Sequence, residues 1–189
     1  PALVYARIYH MIYNHPVIYV TPANLMNQWQ EEGKTFDGQD IVIVDKIRDM
    51  KKIQKMNPTC CYFIVSFDIF CKLTNFEEDE KFIIVVDEAH TLRNDGITSV
   101  KVQNMMETIS AYRLLLTATP LINNGSEAFN LLKILFPDDF NNRDEFLNYF
   151  FEQEKDIFGH TKLTNMKNIP TFFKLFDIVC IKAYKSDAL

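Results

Sequence analysis

The stretch FIIVVDEAHTLRN, residues 82–94, decides the fold. Five consecutive β-formers, Phe82 to Val86, run without a polar interruption into two neighbouring carboxylates, Asp87 and Glu88. A strand that is apolar at every position is buried on both faces, which is how the strands of a parallel sheet read. In open parallel sheets, ligands gather beyond the carboxyl ends of the strands, and the two acids stand at such an end. Neighbouring carboxylates repel one another, so they need a cation or a functional reason to persist. Mg2+ on nucleotide phosphates meets that need, because it takes one or two carboxylates and keeps several waters. One acid then holds the metal while the other orients or deprotonates an attacking water. The plainer alternative is an Asp-Glu pair that starts a loop and caps the next helix.

Runs of the same kind lie on either side. PVIYV (16–20), DIVIV (40–44), CYFIV (61–65) and RLLLTA (113–118) join KFIIVV (81–86) as strand candidates. Helical stretches follow three of them: TPANLMNQWQ, IRDMKKIQKM and SFDIFCKL. Strands alternating with helices predict βαβ units and an α/β fold with a parallel sheet. Thr21 is placed to cap the helix that Pro22 opens. Leu25, Met26 and Trp29 share a face of that helix, and Trp29 is read as core packing. A helix over 126–135 begins at Ser126 and is stopped by Pro137.

Past residue 137 the style changes. DDFNNRDEFLNYFFEQ reads as helical, residues 155–168 as a polar loop, and IPTFFKLFDIVCIKAY as an apolar, aromatic stretch. Residues 1–137 therefore form the sheet lobe, and 138–189 a helical extension of it, too short for a large core of its own. The first helix, ALVYARIYHMIYN, places Tyr5, Tyr9 and Tyr13 along one line, with Val4, Ile8, Met11 and Ile12 beside it. A strand ahead of this helix would complete its βαβ unit.

A second strand ends in chemistry. RLLLTATPLINN (113–124) puts Thr117 and Thr119 at a strand tip. Hydroxyls there can bond a nearby carboxylate or a phosphate-linked water. Taken alone, this is ordinary strand-to-turn chemistry.

Composition bounds the rest. The chain has 189 residues, 48% hydrophobic and 24% charged, the balance of a globular protein rather than a disordered one. The net charge of −5 speaks against a globally basic wrapper of nucleic acid. Lys46, Arg48, Lys51, Lys52 and Lys55 make the densest basic run, read as a solvated helix face. No apolar run approaches the ~20 residues of a membrane span, and the start lacks a signal-peptide layout, so an intracellular place is expected. The four cysteines have no CxxC spacing and are read as small apolar residues.

One tripeptide, Gly33-Lys34-Thr35, imitates the end of a phosphate-binding P-loop. The motif needs a glycine five residues earlier, where Gln28 stands. It also needs to join a strand directly to a helix start, whereas Gly33 comes late in a helix. The tripeptide is read as the end of that helix, and no P-loop is expected within the chain.

The ordered set of motifs resembles the first RecA-like lobe of a superfamily-two helicase-like ATPase of the Swi/Snf type, in its DEAH variant. PVIYVTPANLMNQWQEE resembles motif Ia, YFIVSFDIF motif Ib, DEAHTLRN motif II, and LLLTATPLINNGSEAFNLLKILFP motif III with its helix. DEFLNYF resembles the segment that follows. The tail, with Lys182, Ala183 and Lys185, departs from the paired arginines common there. The resemblance implies a RecA-like parallel sheet flanked by helices. It implies ATP and Mg2+ as cofactors, with Asp87 as metal ligand, Glu88 as activator of water, and His90 coupling to motif III through Thr117 and Thr119. Thr21, Pro22 and Ser66 would face a DNA backbone, a contact that positions a duplex without reading it. The implied whole is a double-stranded DNA translocase or chromatin remodeller, in the nucleus, with a P-loop just ahead of the first helix and a second RecA-like lobe in the same protein. An isolated first lobe is not expected to turn over ATP well. An RNA helicase, a restriction-type translocase, or a non-catalytic module that keeps the fold are the alternatives.

Overall fold

The computed structural model describes residues 2–76, 79–119, 125–155 and 161–180, without the side chains of 125 and 126. The chain opens with helix α1 (Ala2–Tyr13), then strand β1 (Val17–Thr21) and helix α2 (Met26–Asp37). Strand β2 (Ile41–Ile43), helix α3 (Met50–Met56), strand β3 (Tyr62–Ser66) and the single turn α4 (Phe67–Phe70) follow. Strand β4 (Phe82–Val86), helix α5 (Ile97–Thr108), strand β5 (Ala111–Leu115) and helix α6 (Gly125–Leu135) complete the sheet lobe.

All five strands are parallel, in the order β2-β3-β1-β4-β5. Every residue of β1 and β4 is buried, because helices cover both faces. Successive side chains alternate between the two faces. Ile18, Val20, Phe63, Val65, Phe82, Ile84 and Val86 pack with α3, α4, α5 and α6. Val17, Tyr19, Ile64, Ile83 and Val85 pack with α1 and α2. Each large apolar side chain so enclosed contributes about 1.5–3 kcal/mol. The outer edge of β5 has no partner strand among the described residues.

The linkers carry their own logic. Gly38 ends α2 in the left-handed conformation (φ 64°), and its N–H turns back to the carbonyl of Gly33. Gly33 itself is a packing glycine: a Cβ there would come within 2.5 Å of Ile41 Cδ1. The Gly-Lys-Thr tripeptide thus sits late in α2, against β2, as the sequence indicates. Arg113 of β5 donates to the carbonyls of Met106 (2.7 Å) and Ile109 (3.2 Å) at the end of α5, and to Leu135 (3.3 Å) at the end of α6. A cation suits those helix C-termini.

One helix goes unmarked in the sequence, and one expectation needs correction. The sequence pattern leaves α5 unmarked, because its inward stripe mixes Ser99 and Gln103 with Val102 and Met106. The Ser99 hydroxyl donates to Leu92 O, and Gln103 Nε2 bonds to Ser99 Oγ, so the polar pair is internally satisfied. The extension is also not purely helical. Helix α7 (Arg143–Phe150) runs straight into strand β6 (Phe151–Lys155), which pairs antiparallel with strand β7 (Thr161–Met166) before helix α8 (Ile169–Val179). Most side chains of this hairpin are exposed, so no apolar alternation marked it in the sequence.

A third apolar cluster joins the extension to the lobe. Phe146, Phe150, Phe151, Phe172 and Phe176 surround Ala128, Phe129 and Leu132 of α6. The opposite face of α6 sends Leu131 and Ile134 into the sheet core. No helix among the described residues is long and apolar enough to cross a membrane. Lys182, Ala183 and Lys185 lie outside the described residues, as does the PLINN portion of motif III.

Candidate functional site

The register of the sheet assembles the site. Thr21 pairs with Ser66, and Val20 with Val86, so Ser66, Thr21 and Asp87 stand in one row at the carboxyl tips of β3, β1 and β4. Val86 pairs with Leu115, which extends the row to Leu116, with Thr117 one residue beyond. Neighbouring strands lie about 4.8 Å apart, so segments far apart in sequence share one short ledge.

Asp87 is held by both carboxylate oxygens. Its Oδ1 accepts the backbone N–H of Glu88 at 2.9 Å, and its Oδ2 accepts the indole N–H of Trp29 at 2.8 Å. A carboxylate has about four lone-pair sites, so each oxygen retains one for a further ligand. Trp29 is therefore more than core packing. Its ring does lie against Tyr19, centroids 5.2 Å apart, but its N–H is spent on Asp87.

Glu88 adopts the left-handed conformation (φ 49°, ψ 41°). A non-glycine residue there costs on the order of 1 kcal/mol or more, and such strain clusters at functional sites. The Glu88 side chain is partly exposed, with Oε2 3.0 Å from Nδ1 of His90. The approach is close but is not a hydrogen bond, since Nδ1 has no partner of suitable geometry.

His90 does not meet Thr117 or Thr119 through any polar contact among the described residues. The tie between the two strand tips is carried by backbone instead, Ala89 N–H to Leu116 O at 2.9 Å. Thr117 Oγ1 accepts the N–H of Thr119 at 3.1 Å, which shapes the turn of motif III.

The three residues assigned to a nucleic-acid backbone differ in access. Thr21 is fully enclosed, and its hydroxyl has no hydrogen-bond partner. This corrects both expectations for Thr21: it does not cap the following turn, and its side chain does not reach the surface. The 3-10 turn Ala23–Leu25 begins after Pro22 without any side-chain cap. Pro22 and Ser66 retain partial exposure, and Ser66 Oγ caps α4 by accepting the N–H of Ile69 at 3.3 Å.

Beyond the ledge, a polar clamp secures the segment after His90. Asn130 of α6 donates to Arg93 O (2.8 Å) and to Asp95 Oδ1 (2.9 Å). The Arg93 guanidinium lies 3.8 Å from Glu127 Oε2, largely buried. No group of three or more metal-ligating side chains occurs among the described residues. Any metal held here would complete its shell with water and ligand oxygens.

Comparison with known proteins identifies the family. The SNF2-related domain family matches residues 3–187. The chain belongs to that family. This SNF2-related domain is 31% identical over 152 residues to the ISWI chromatin-remodeling complex ATPase ISW1 of Saccharomyces cerevisiae, covering 75% of the chain and 13% of the relative. It is 27% identical over 160 residues to the chromatin-remodeling ATPase INO80 of Candida albicans, covering 78% of the chain and 11% of the relative. Among solved structures, the Sulfolobus solfataricus SWI2/SNF2 ATPase core in complex with dsDNA superposes with a TM-score of 0.63 at 19% identity. That match covers 79% of the chain and 31% of the other. The SNF2-related domain therefore shares the fold of that core and spans a small part of each of these relatives.

Proposed function

We propose that this chain is the first motor lobe of an ATP-dependent translocase or remodeller of double-stranded DNA, acting in the nucleus as part of a longer protein. The observation that carries the reading is the paired acid at the tip of β4: Asp87 held by two donors, and Glu88 partly exposed on a left-handed backbone. Family membership supports ATP as the nucleotide.

The donor set fits Mg2+. Asp87 offers a hard oxygen ligand with an unused lone pair on each oxygen, and the remaining shell suits water and phosphate. When bound, Mg2+ supplies charge neutralisation at the transferring phosphoryl group. Asp87 would hold it, through water. Glu88 would orient the attacking water and accept its proton. His90, whose Nδ1 lies 3.0 Å from Glu88 Oε2, would keep that carboxylate aimed. Thr117 and Thr119 would report the state of the site to the rest of the lobe through the Ala89–Leu116 bond. Pro22 and Ser66 would rest on the DNA backbone. The phosphate cradle and the second RecA-like lobe would come from elsewhere in the longer protein.

The test is ATP hydrolysis by the full-length protein with and without duplex DNA. Stimulation by duplex, without strand separation, is the expected result. Equal rates in the two conditions would overturn the DNA-motor reading. Robust strand separation would reassign the chain to an unwinding enzyme.

A further inference from the structure

The direction of the Asp87 carboxylate is set from two independent places. The Glu88 N–H on Oδ1 comes from the next residue, whereas the Trp29 N–H on Oδ2 comes from α2, 58 positions away. An aspartate rotates broadly about its last torsion. One donor leaves that rotation open, and two donors on different oxygens fix the carboxylate plane. An indole N–H is donor only, so it cannot exchange roles as a hydroxyl or amide would.

The indole is itself braced. Its ring lies 5.2 Å from that of Tyr19, and Tyr19 OH donates to Gln39 Oε1 at 2.7 Å. Burial pushes the Tyr19 hydroxyl well above its ordinary pKa, so it stays a donor. The nearly enclosed Gln39 then donates to Leu3 O of α1 at 2.9 Å. A line of contacts thus runs from α1 through Gln39, Tyr19 and Trp29 to the acid pair.

We propose that Trp29 is a positioning residue for the metal-holding carboxylate: its indole N–H, pinned to Oδ2 of Asp87, aims the free lone pairs of that carboxylate at the metal. The proposal rests on Asp87 being the metal holder proposed above. Partners that orient a metal's ligands typically change its affinity 10–100-fold when removed.

Trp29 is the single tryptophan of the chain, which gives a direct reading. Mn2+ alone, as a paramagnetic substitute for Mg2+, is titrated into the full chain and into Trp29→Phe, which keeps a ring against Tyr19 and loses the N–H. Affinity is read from water-proton relaxation, and the indole N–H resonance from NMR. The expected result is selective broadening of that resonance, abolished by Asp87→Asn, and roughly tenfold weaker Mn2+ binding by Trp29→Phe. Folded Trp29→Phe that binds Mn2+ within about twofold of the parent would overturn the proposal, a difference below the range for lost ligand partners. If Trp29→Phe does not fold, the resonance in the parent chain decides: sharp at saturating Mn2+, it overturns the proposal as well. If the parent chain binds no Mn2+ by itself, Mn-ATP affinity of the full-length protein decides: equal affinity in parent and Trp29→Phe removes the inference, and no loss in Asp87→Asn removes the metal reading of Asp87 as well. Binding that is equal in parent and variant removes the inference alone.

Discussion

Arg143 of α7 reaches back 48 positions to Asp95, Nη2 to Oδ2 at 2.7 Å, while Asn130 of α6 holds the other oxygen of the same carboxylate at 2.9 Å. The loop that follows the acid pair is thereby clamped to two helices, one of them in the extension. The same Asn130 also holds Arg93 O. The extension is fastened to the loop that carries the site as well as to α6.

That clamp has a pH signature. Burial pushes the Asp95 carboxyl upward, but the hydrogen bonds from Asn130 and Arg143 and the Arg143 charge outweigh it and hold it below the ordinary value. The folded state then binds fewer protons than the unfolded chain, so stability from this group rises with pH. It is fully present above the unfolded carboxyl pKa of about 3.9 and is lost as pH falls through the lowered folded value. Asp95→Asn should be less stable than the parent at pH 7, with the gap in urea midpoint closing as pH drops below about 4. A gap that persists unchanged in acid would mean the carboxylate charge contributes nothing.

Glu88→Gln should retain fold and nucleotide binding while lowering kcat for ATP hydrolysis by the full-length protein by about 100-fold or more, the range for loss of a general base. Glutamine is isosteric and tolerates the same backbone turn. Steady-state turnover and thermal unfolding checked side by side make the measurement. A variant that retains a tenth or more of the parent rate would show that another group takes the proton.

Phe172→Ala should open the third cluster. Phe172 touches Phe146, Phe150, Phe151 and Phe176, and truncation of a buried phenylalanine costs about 3–5 kcal/mol. Hydrogen exchange should show α7 and α8 losing protection while β1 and β4 keep theirs, because the sheet core is packed from other residues. Uniform loss across all elements would show that the extension and the sheet unfold as one unit.

Gly33→Ala isolates packing from propensity. Alanine favours a helix interior by about 1 kcal/mol over glycine. Here its methyl would press on the buried Ile41 side chain, and overpacking costs about 1–3 kcal/mol. The expected result is a net loss in denaturant midpoint, restored by the double variant with Ile41→Val. A stabilised single variant would show that β2 yields freely.

What was legible in the sequence follows from which patterns were uninterrupted. The strands could be read because β1 and β4 are apolar at every position, and the acid pair because it directly follows such a run. α5 was hidden by the Ser99–Gln103 pair on its inward face, and the hairpin by having little buried face. The enclosure of Thr21 and the bond from Trp29, which packs on the core as read, to Asp87 were hidden for a shared reason. Their partners, or lack of them, depend on which strand tips become neighbours, and a linear chain does not display that. Trp29 and Asp87 are 58 positions apart, and only the placement of β1 beside β4 brings α2 over the acid.

Among the described residues the outer side of β5 has no partner strand, and this has a practical consequence. Its outward backbone donors and acceptors form a template for strand addition, with Tyr112 37% exposed beside them and stacked on Tyr13 of α1. Val4, Ile8, Met11 and Ile12 of the same helix are also exposed. Produced as it stands, the chain should be prone to self-association as its concentration is raised. A charged residue in place of Tyr112 should improve its solubility more than the same change on the wet hairpin at Thr161. Light scattering across a dilution series would rank the two, and equal scattering would clear this flank of blame.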